Sequence, residues 1–339
     1  MDILSLKKAL KDKKEPGYRL SQAKRSFYVE FQKGWDSLST YPEALRNYLK
    51  DQIPWDALNE IKTLTAKDGS AVKKLFSCSD GSRIESVLMR HEDGRNTVCV
   101  SCQVGCPMGC AFCATGSMGF KRNLNTNEIV EQVIWFSRHL KEAGAKITNV
   151  VFMGMGEPLN NYEQVIGAVK LLNDPDGLNL GARHMTISTS GIVPGILKLA
   201  NEPWQVNLAV SLHSAIDETR SQLMPVNKAY PIAELMKAIE KYAEITNRKI
   251  FFEYLLIENV NDDQRHVHEL IELLAANRRL YHLNLIKYHD TGKFKATNKI
   301  RFEEFKNQMQ AARITTTERV SFGEDIDAAC GQLAIKSKQ

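Results

Sequence analysis

The sequence has no apolar run approaching the roughly 20 residues that a membrane span requires. No secretory signal is expected, because MDILSLKKALKDKK places charges after a very short apolar stretch. No low-complexity tract and no repeat at a solenoid period is present, which sets aside disordered and repeat architectures. A large excess of charge of one sign is missing: 45 Lys and Arg face 40 Asp and Glu, a formal net charge of +5. That balance is compatible with nucleic acid without pointing to it. Cysteine is sparse and odd in number, seven in 339 residues, which disfavours a disulfide framework. The expected compartment is the cytoplasm, where thiols stay reduced. No membrane partner is expected.

The few cysteines are concentrated. Five lie within CVSCQVGCPMGCAFC, from Cys99 to Cys113, while Cys78 and Cys330 are far away in sequence. In a reducing compartment such a cluster indicates metal or catalysis. Pairing Cys99 and Cys102 with Cys110 and Cys113 leaves seven residues between the pairs, against about 12 to 20 in common zinc modules, so zinc fits poorly. Cys106, Cys110 and Cys113 are spaced C-x3-C-x2-C, whereas a ferredoxin run supplies four ligands. Three thiolates on a [4Fe–4S] cluster would leave one iron open to a small molecule bound through an amine and a carboxylate. Phe112, between the last two cysteines, would shield such a cluster from water.

The rest of the chain supplies a setting. Residues 5–65 read as helices on three-to-four apolar spacing: ILSLKKAL, RLSQAKRSFYVEFQKGW and YPEALRNYLKDQI. The first 50 residues hold eleven Lys and Arg against six Asp and Glu. AVKKLFSCS and RIESVLMRH read as strands separated by the turn signals SDGS and EDGR. From there strands alternate with helices. Strands are expected at 97–103, 147–153, 184–189, 205–213, 248–257 and 280–288, and Thr126 is the expected N-cap of the first intervening helix. Six βα units predict an α/β fold with a partial barrel. The expected division is a helical piece over 1–65, a small β extension over 66–95 and the barrel over 96–339. Such barrels build their sites at the C-terminal ends of the strands, here CQVGC, MGMGEP, STSG, SLHS, EYLLI and NLIKYH.

C-x3-C-x-aromatic-C followed by a βα series resembles the signature of radical S-adenosylmethionine (SAM) enzymes, and MGMGEP resembles their turn for the SAM amino group. With ISTSGIVP, VSLHS, the late NLI and GEDIDAACGQL at 323–333, the likeness narrows to the RlmN/Cfr group, radical SAM methyltransferases of adenosine in RNA. It covers most of the chain, including a helical N-terminal segment that contacts RNA in that group. The resemblance implies a partial (β/α)6 radical SAM barrel carrying a [4Fe–4S] cluster on Cys106, Cys110 and Cys113. SAM would be used twice per turnover and contacted by Gly156, Glu157, Ser188, Ser211, Leu212 and His213. Taken alone, His213 reads as a satisfied strand-end histidine. His289 falls where the group has a SAM-contacting Asn. Cys330 would be the cysteine that is first methylated, Cys99 the thiol that resolves the covalent adduct, and Glu85 the proton acceptor.

The implied chemistry suits the substrate, because adenine carbons 2 and 8 are not nucleophiles. A hydrogen atom is taken from the S-methyl of Cys330, and the methylene adds to the ring. A base removes the ring proton, and Cys99 then releases methylated RNA as a disulfide forms. Cys102 occupies a position where the group has serine; it is a bland small residue or a second resolving thiol. Cys78 reads as an ordinary buried residue.

The expected activity is methylation of carbon 2 of adenosine 2503 in 23S rRNA, with tRNA adenosine 37 as a further candidate. SFGEDIDAACGQL leaves carbon 8, the antibiotic-resistance activity, as the alternative. A radical SAM enzyme acting on a small molecule or protein, and an RNA-binding protein stapled by an iron–sulfur cluster, are the competing classes. Cys330, the basic N-terminus and the missing fourth ligand disfavour them. An external electron donor such as flavodoxin and a monomeric state are expected.

Overall fold

The structure, a computed structural model, describes residues 1–334; the last five residues of the expected 96–339 span lie outside it. Three helices come first, α1 (Ile3–Asp12), α2 (Tyr18–Tyr28) and α3 (Glu43–Gln52). The second stops at Tyr28 rather than running to Trp35, because Phe31 turns to φ 56° and breaks the helical path. The helical reading of 5–65 also ends early: Leu58–Thr65 is a strand, β1. It pairs antiparallel with β2 (Ala71–Cys78), and β2 pairs with β3 (Arg83–Arg90). The SDGS and EDGR turns carry Gly81 and Gly94 at positive φ, as tight Asp-Gly turns require.

β4 (Asn96–Cys99) closes this antiparallel meander against β3 and starts the barrel. A small ribbon of β5 (Gln103–Gly105) and β6 (Phe120–Asn123) flanks the short helix α4 (Ala114–Ser117). Then follow α5 (Thr126–Glu142), β7 (Asn149–Phe152), α6 (Tyr162–Asn173), β8 (Met185–Thr189), α7 (Val193–Ala200) and β9 (Asn207–Ser211). The chain continues through α8 (Asp217–Leu223), α9 (Ile232–Thr246), β10 (Ile250–Leu256), α10 (Gln264–Ala275), β11 (Tyr281–Lys287), α11 (Lys299–Ala311) and β12 (Thr315–Glu318).

All six expected barrel strands are present and parallel, and β12 adds a seventh. The strand expected at 97–103 is split: it ends at Cys99, and Gln103 begins the ribbon. Among the described residues ten strands make one sheet, in the order β1-β2-β3-β4-β7-β8-β9-β10-β11-β12. The two ends do not pair, so the barrel is open. The N-cap of α5 is Asn125, not Thr126. The Asn125 side chain accepts from Glu128 N at 3.0 Å while Glu128 accepts from Asn125 N at 2.9 Å, a reciprocal cap. Thr126 instead donates its hydroxyl to Gln164 O.

The N-terminal segment docks on α5 through an aromatic cluster and two buried ion pairs, one of them between the Met1 amine and Glu131 at 2.7 Å. Trp55 packs edge-on to Trp35 and Phe27, at 4.9 and 5.6 Å. Arg138 of α5 reaches both oxygens of Asp56 at 2.8 and 2.9 Å and donates to Gln32 O at 3.0 Å. Removing one member of a buried pair strands the other charge. Arg138→Met should lower stability to chemical denaturation by about 3 kcal/mol and loosen the helical segment first, as read by protease sensitivity of residues 1–57.

Candidate active site

The loop bearing three of the cysteines joins the two strands of the small ribbon. Its base is pinched: Cys106 N donates to Gly119 O at 2.9 Å. Gly105 adopts φ 74°, and a Cβ there would collide with the Gly119 carbonyl oxygen. Downstream, Cys113 N bonds Cys110 O at 3.1 Å and Ala111 N bonds Leu223 O at 2.9 Å. These bonds turn Cys106, Cys110 and Cys113 towards one open cleft of about 850 Å³ at the C-terminal ends of the barrel strands. All three are free thiols. Phe112 lies beside them and meets the His213 ring edge-on at 4.7 Å.

The same cleft is walled by Gly156, Glu157, Ser188, Ser211 and His213. The MGMGEP turn is tight. Gly156 sits at φ 106°, and a Cβ there would come within 2.6 Å of the Gln103 side chain. Glu157 is buried, accepting from Leu159 N at 3.0 Å and Ser190 N at 2.7 Å. Burial raises its carboxyl above the usual range, opposed by those N–H donors. Leu212 is buried without lining the cleft; its carbonyl accepts from Arg220 Nε at 3.1 Å.

His213 is held in the left-handed region at φ 56°. Its Nδ1 accepts from Leu255 N at 3.0 Å, so the ring proton sits on Nε2. Burial depresses the imidazole to about 3.

A second cleft of about 680 Å³ adjoins the first and shares Cys113, Met153, Gly154, Ile286, Arg319, Cys330 and Gly331 with it. Cys99, at the end of β4, lines this second cleft together with Cys330, so the structure brings the two distant thiols to one space. Burial pushes Cys99 up to about 12, with neighbouring Cys330 adding and Arg319 opposing. Cys330 itself is exposed.

Two further expected residues, His289 and Glu85, are placed differently, and Cys102 sits as a bland small residue would. His289 walls the second cleft rather than the first, with Nε2 2.8 Å from Ser321 Oγ and Nδ1 3.6 Å from Glu324. The cause is the loop after β11, which folds towards the C-terminal segment. Glu85 is not at the rim: it is 1% exposed and lines neither cleft. Lys73 pairs with it at 3.2 Å, and burial raises its carboxyl. Cys102 is buried and lines neither cleft, its carbonyl taken by Leu124 N and Asn161 Nδ2. Cys78 is buried as expected.

Sequence reading missed Glu253, Arg319 and Ser190. Arg319 bonds Glu253 at 3.2 Å, and Asn284 donates to the other Glu253 oxygen at 2.9 Å. A carboxylate inside the apolar strand FFEYLL was the available signal for Glu253; nothing marked Arg319. Ser190 Oγ is buried in the first cleft's wall with no protein partner.

The donor types suit the expected group, while no three such side chains among the described residues are gathered to hold a single metal ion. Three free thiols face one cleft, an unpartnered hydroxyl and a buried carboxylate stand beside them, and the glycine turn leaves room for a close approach. The fold and these residues define a radical SAM enzyme, and a model of the radical SAM superfamily matches residues 100–274. The chain is 42% identical over 340 aligned positions to a probable dual-specificity RNA methyltransferase RlmN of Bacillus pumilus, covering 100% of this chain and 93% of that protein. It is 43% identical to the Staphylococcus aureus protein of the same description, over 96% of this chain and 90% of that one. The crystal structure of a radical SAM methyltransferase from Sphaerobacter thermophilus superposes with a TM-score of 0.94 at 43% identity, covering 98% and 97% of the two chains. The chain belongs to the RlmN family of radical SAM RNA methyltransferases. Among the described residues no helix is long and apolar enough to cross a membrane.

The buried imidazole gives a pH signature. Unfolded His213 takes up a proton near pH 6.5, whereas the folded ring stays neutral down to about 3. Its contribution to stability is therefore full above pH 6.5 and falls as the pH drops through that window, by up to about 1.4 kcal/mol per pH unit. His213→Gln should flatten the acid limb of the stability curve between about pH 6 and 4. An unchanged slope in chemical denaturation would mean that the folded ring is charged.

Proposed function

We propose that the protein methylates carbon 2 of adenosine 2503 in 23S rRNA, and adenosine 37 in tRNA, through a methyl-cysteine carrier and a covalent protein–RNA adduct. The single observation that carries this reading is the meeting of Cys99 and Cys330 in one cleft that opens into the cleft of the three clustered thiols. The dual-specificity description of the relatives supports two RNA classes.

Cys106, Cys110 and Cys113 would hold three irons of a [4Fe–4S] cluster. Glu157, Ser188, Ser211 and His213 would hold SAM, with Gly156 allowing its close approach and Leu212 shaping the wall from behind. Ser190 Oγ is a further free donor for the same ligand. The cluster and SAM together supply the hydrogen-abstracting chemistry. The protein's own part is carriage and release. Cys330 takes a methyl group from one SAM as its thiol proton leaves. With a second SAM in the cleft, the S-methyl of Cys330 would lose a hydrogen atom and its carbon would bond to the adenine ring; the adduct would then give up one electron and the ring carbon its proton to a base, leaving a closed-shell thioether. Cys99, as a thiolate, attacks the sulfur of Cys330. The S–S bond forms, the S–C bond breaks, and its electron pair goes to the carbon, which gains a proton to become the methyl group. Arg319 stands in the same cleft as both sulfurs, where a cation favours a thiolate.

Residues 1–65 are the proposed RNA-contacting piece, with 66–95 joining it to the barrel at 96–339. Lys7, Lys8 and Lys11 are exposed there and suit phosphate contacts. Lys24 is committed to Asp174 at 2.7 Å and Arg25 to Glu30 at 3.0 Å. An external one-electron donor and a monomeric enzyme in the cytoplasm complete the reading.

The test is mass spectrometry of RNA nucleosides after reaction, together with two variants. Wild type should yield 2-methyladenosine. Cys330→Ala should transfer no methyl group. Cys99→Ala should accumulate a protein–RNA species stable on a denaturing gel. A product of 8-methyladenosine would overturn the regiochemistry, and normal turnover of Cys99→Ala/Cys102→Ala without a trapped adduct would overturn the thiol release.

A further inference from the structure

A buried cation sits behind the three clustered thiols with no anion of its own. Arg220 of α8 is 0% exposed. Its Nε donates to Leu212 O at 3.1 Å and its Nη1 to Asn227 Oδ1 at 2.7 Å. Its Nη2 donates to Ser190 O at 2.7 Å and to Ser211 O at 3.2 Å. All four acceptors are neutral, whereas a buried charge ordinarily has a partner of opposite sign. Asp217, one turn earlier on the same helix, is exposed and is reached only through Asn227, whose Nδ2 donates to Asp217 Oδ1 at 2.8 Å. Burial lowers the guanidinium to about 10, opposed by Cys110 and then by Asp217, so it stays charged at neutral pH.

The end of α8 joins this charge to the cysteine loop. Met224 N donates to Arg220 O at 2.7 Å, and Leu223 O accepts from Ala111 N at 2.9 Å. Leu223 and Met224 belong to an apolar cluster against which Cys110 and Phe112 pack. Arg220 lines neither cleft, so it acts on whatever the cleft holds only through the wall. We propose that Arg220 is the fixed counter-charge of an iron–sulfur cluster on Cys106, Cys110 and Cys113, and that it raises the reduction potential of that cluster. This rests on the reading of those three thiols as the cluster ligands. A cluster on three thiolates is anionic overall. The electron that arrives from the external one-electron donor adds a further negative charge, while no bond forms or breaks. A cation fixed behind the loop favours the more negative, reduced state, and a dry site strengthens the effect. The four hydrogen bonds fix where the charge sits, because they tie it to the ends of β8 and β9. Arg220 is thus a positioning residue and not a catalytic one.

A tie between loops and a tuning charge separate in a redox titration of the full-length, cluster-loaded protein, followed by electron paramagnetic resonance. Arg220→Met and Arg220→Gln remove the charge. At a given applied potential each should show at least about tenfold less reduced relative to oxidised cluster than wild type, a midpoint lower by about 59 mV or more for one electron. Arg220→Lys keeps a charge but loses most of the bonds, and its ratio should stay within about threefold of wild type. The paired exchange Asp217→Asn/Asn227→Asp leaves Arg220 in place and sets a carboxylate against its Nη1. It should lower the midpoint as the neutral variants do, and it decides the question if those variants do not fold. A neutral variant that folds but loses its iron, where Arg220→Lys keeps it, supports the same assignment. The assignment is overturned if the neutral variants or the paired exchange hold a cluster with the wild-type midpoint, or if Arg220→Lys falls as far as Arg220→Met. A wild-type protein that takes up no iron–sulfur cluster would instead sink the ligand reading, and the assignment with it.

Discussion

Seven parallel strands do not close a barrel, and that open seam governs the rest of the molecule. A free sheet edge leaves backbone groups unpaired and the barrel interior open to water. Here the segment after β12 crosses the seam. Arg319 N extends the pairing to Leu285 O at 2.8 Å. Phe322 then meets the His91 ring edge-on at 4.8 Å, Gly323 packs close to Ala71, and Asp325 accepts from Lys67 N at 3.0 Å. The antiparallel β extension is thus the opposite bank of the seam. The crossing segment carries Cys330 to the barrel mouth, where Cys99 ends its strand. Closing the fold and assembling the two-thiol cleft are one event.

Electrostatics at the mouth follow from this closure. Burial keeps His213 neutral and makes Cys99 a poor thiolate in isolation, since charging either in a dry site is costly. The compensating charge is Arg319, set by Glu253, which is set in turn by Asn284, which accepts from Thr317 Oγ1 at 2.6 Å. That chain runs across β10, β11 and β12, so the cation's position is fixed by strand register rather than by a flexible loop. A rigidly placed charge in a low-dielectric site acts more strongly than one in water.

Much of this was legible in the sequence, because its strongest signals are local. C-x3-C-x-aromatic-C, the glycine turn at 154–156 and the alternation of strands with helices each declare themselves within a few residues. β12 was not legible: TTTE is short, largely exposed and without an alternating apolar face. β1 was hidden for a similar reason, since most of LNEIKTLT faces solvent. Glu85 and His289 were misplaced because motif spacing reports order along the chain and not which segment packs over a side chain. Glu85 shares a face of β3 with Val87 and Met89, which line the cleft, but is covered there by Lys73 and by the segment ending at Ala334. Arg319 was invisible because its role depends on a seam closure that no local pattern encodes.

The central claim is that seam closure brings Cys330 to Cys99, the one other thiol of that cleft that a cluster on Cys106, Cys110 and Cys113 would leave free. Its most direct test is disulfide mapping of the full chain by tandem mass spectrometry after mild oxidation, with the cluster in place. A cross-link between Cys99 and Cys330 should dominate, because these two line one cleft while Cys102 and Cys78 are buried apart from it. If Cys330 stays unlinked, or pairs chiefly with Cys102, the segment does not close the seam as described and the account fails.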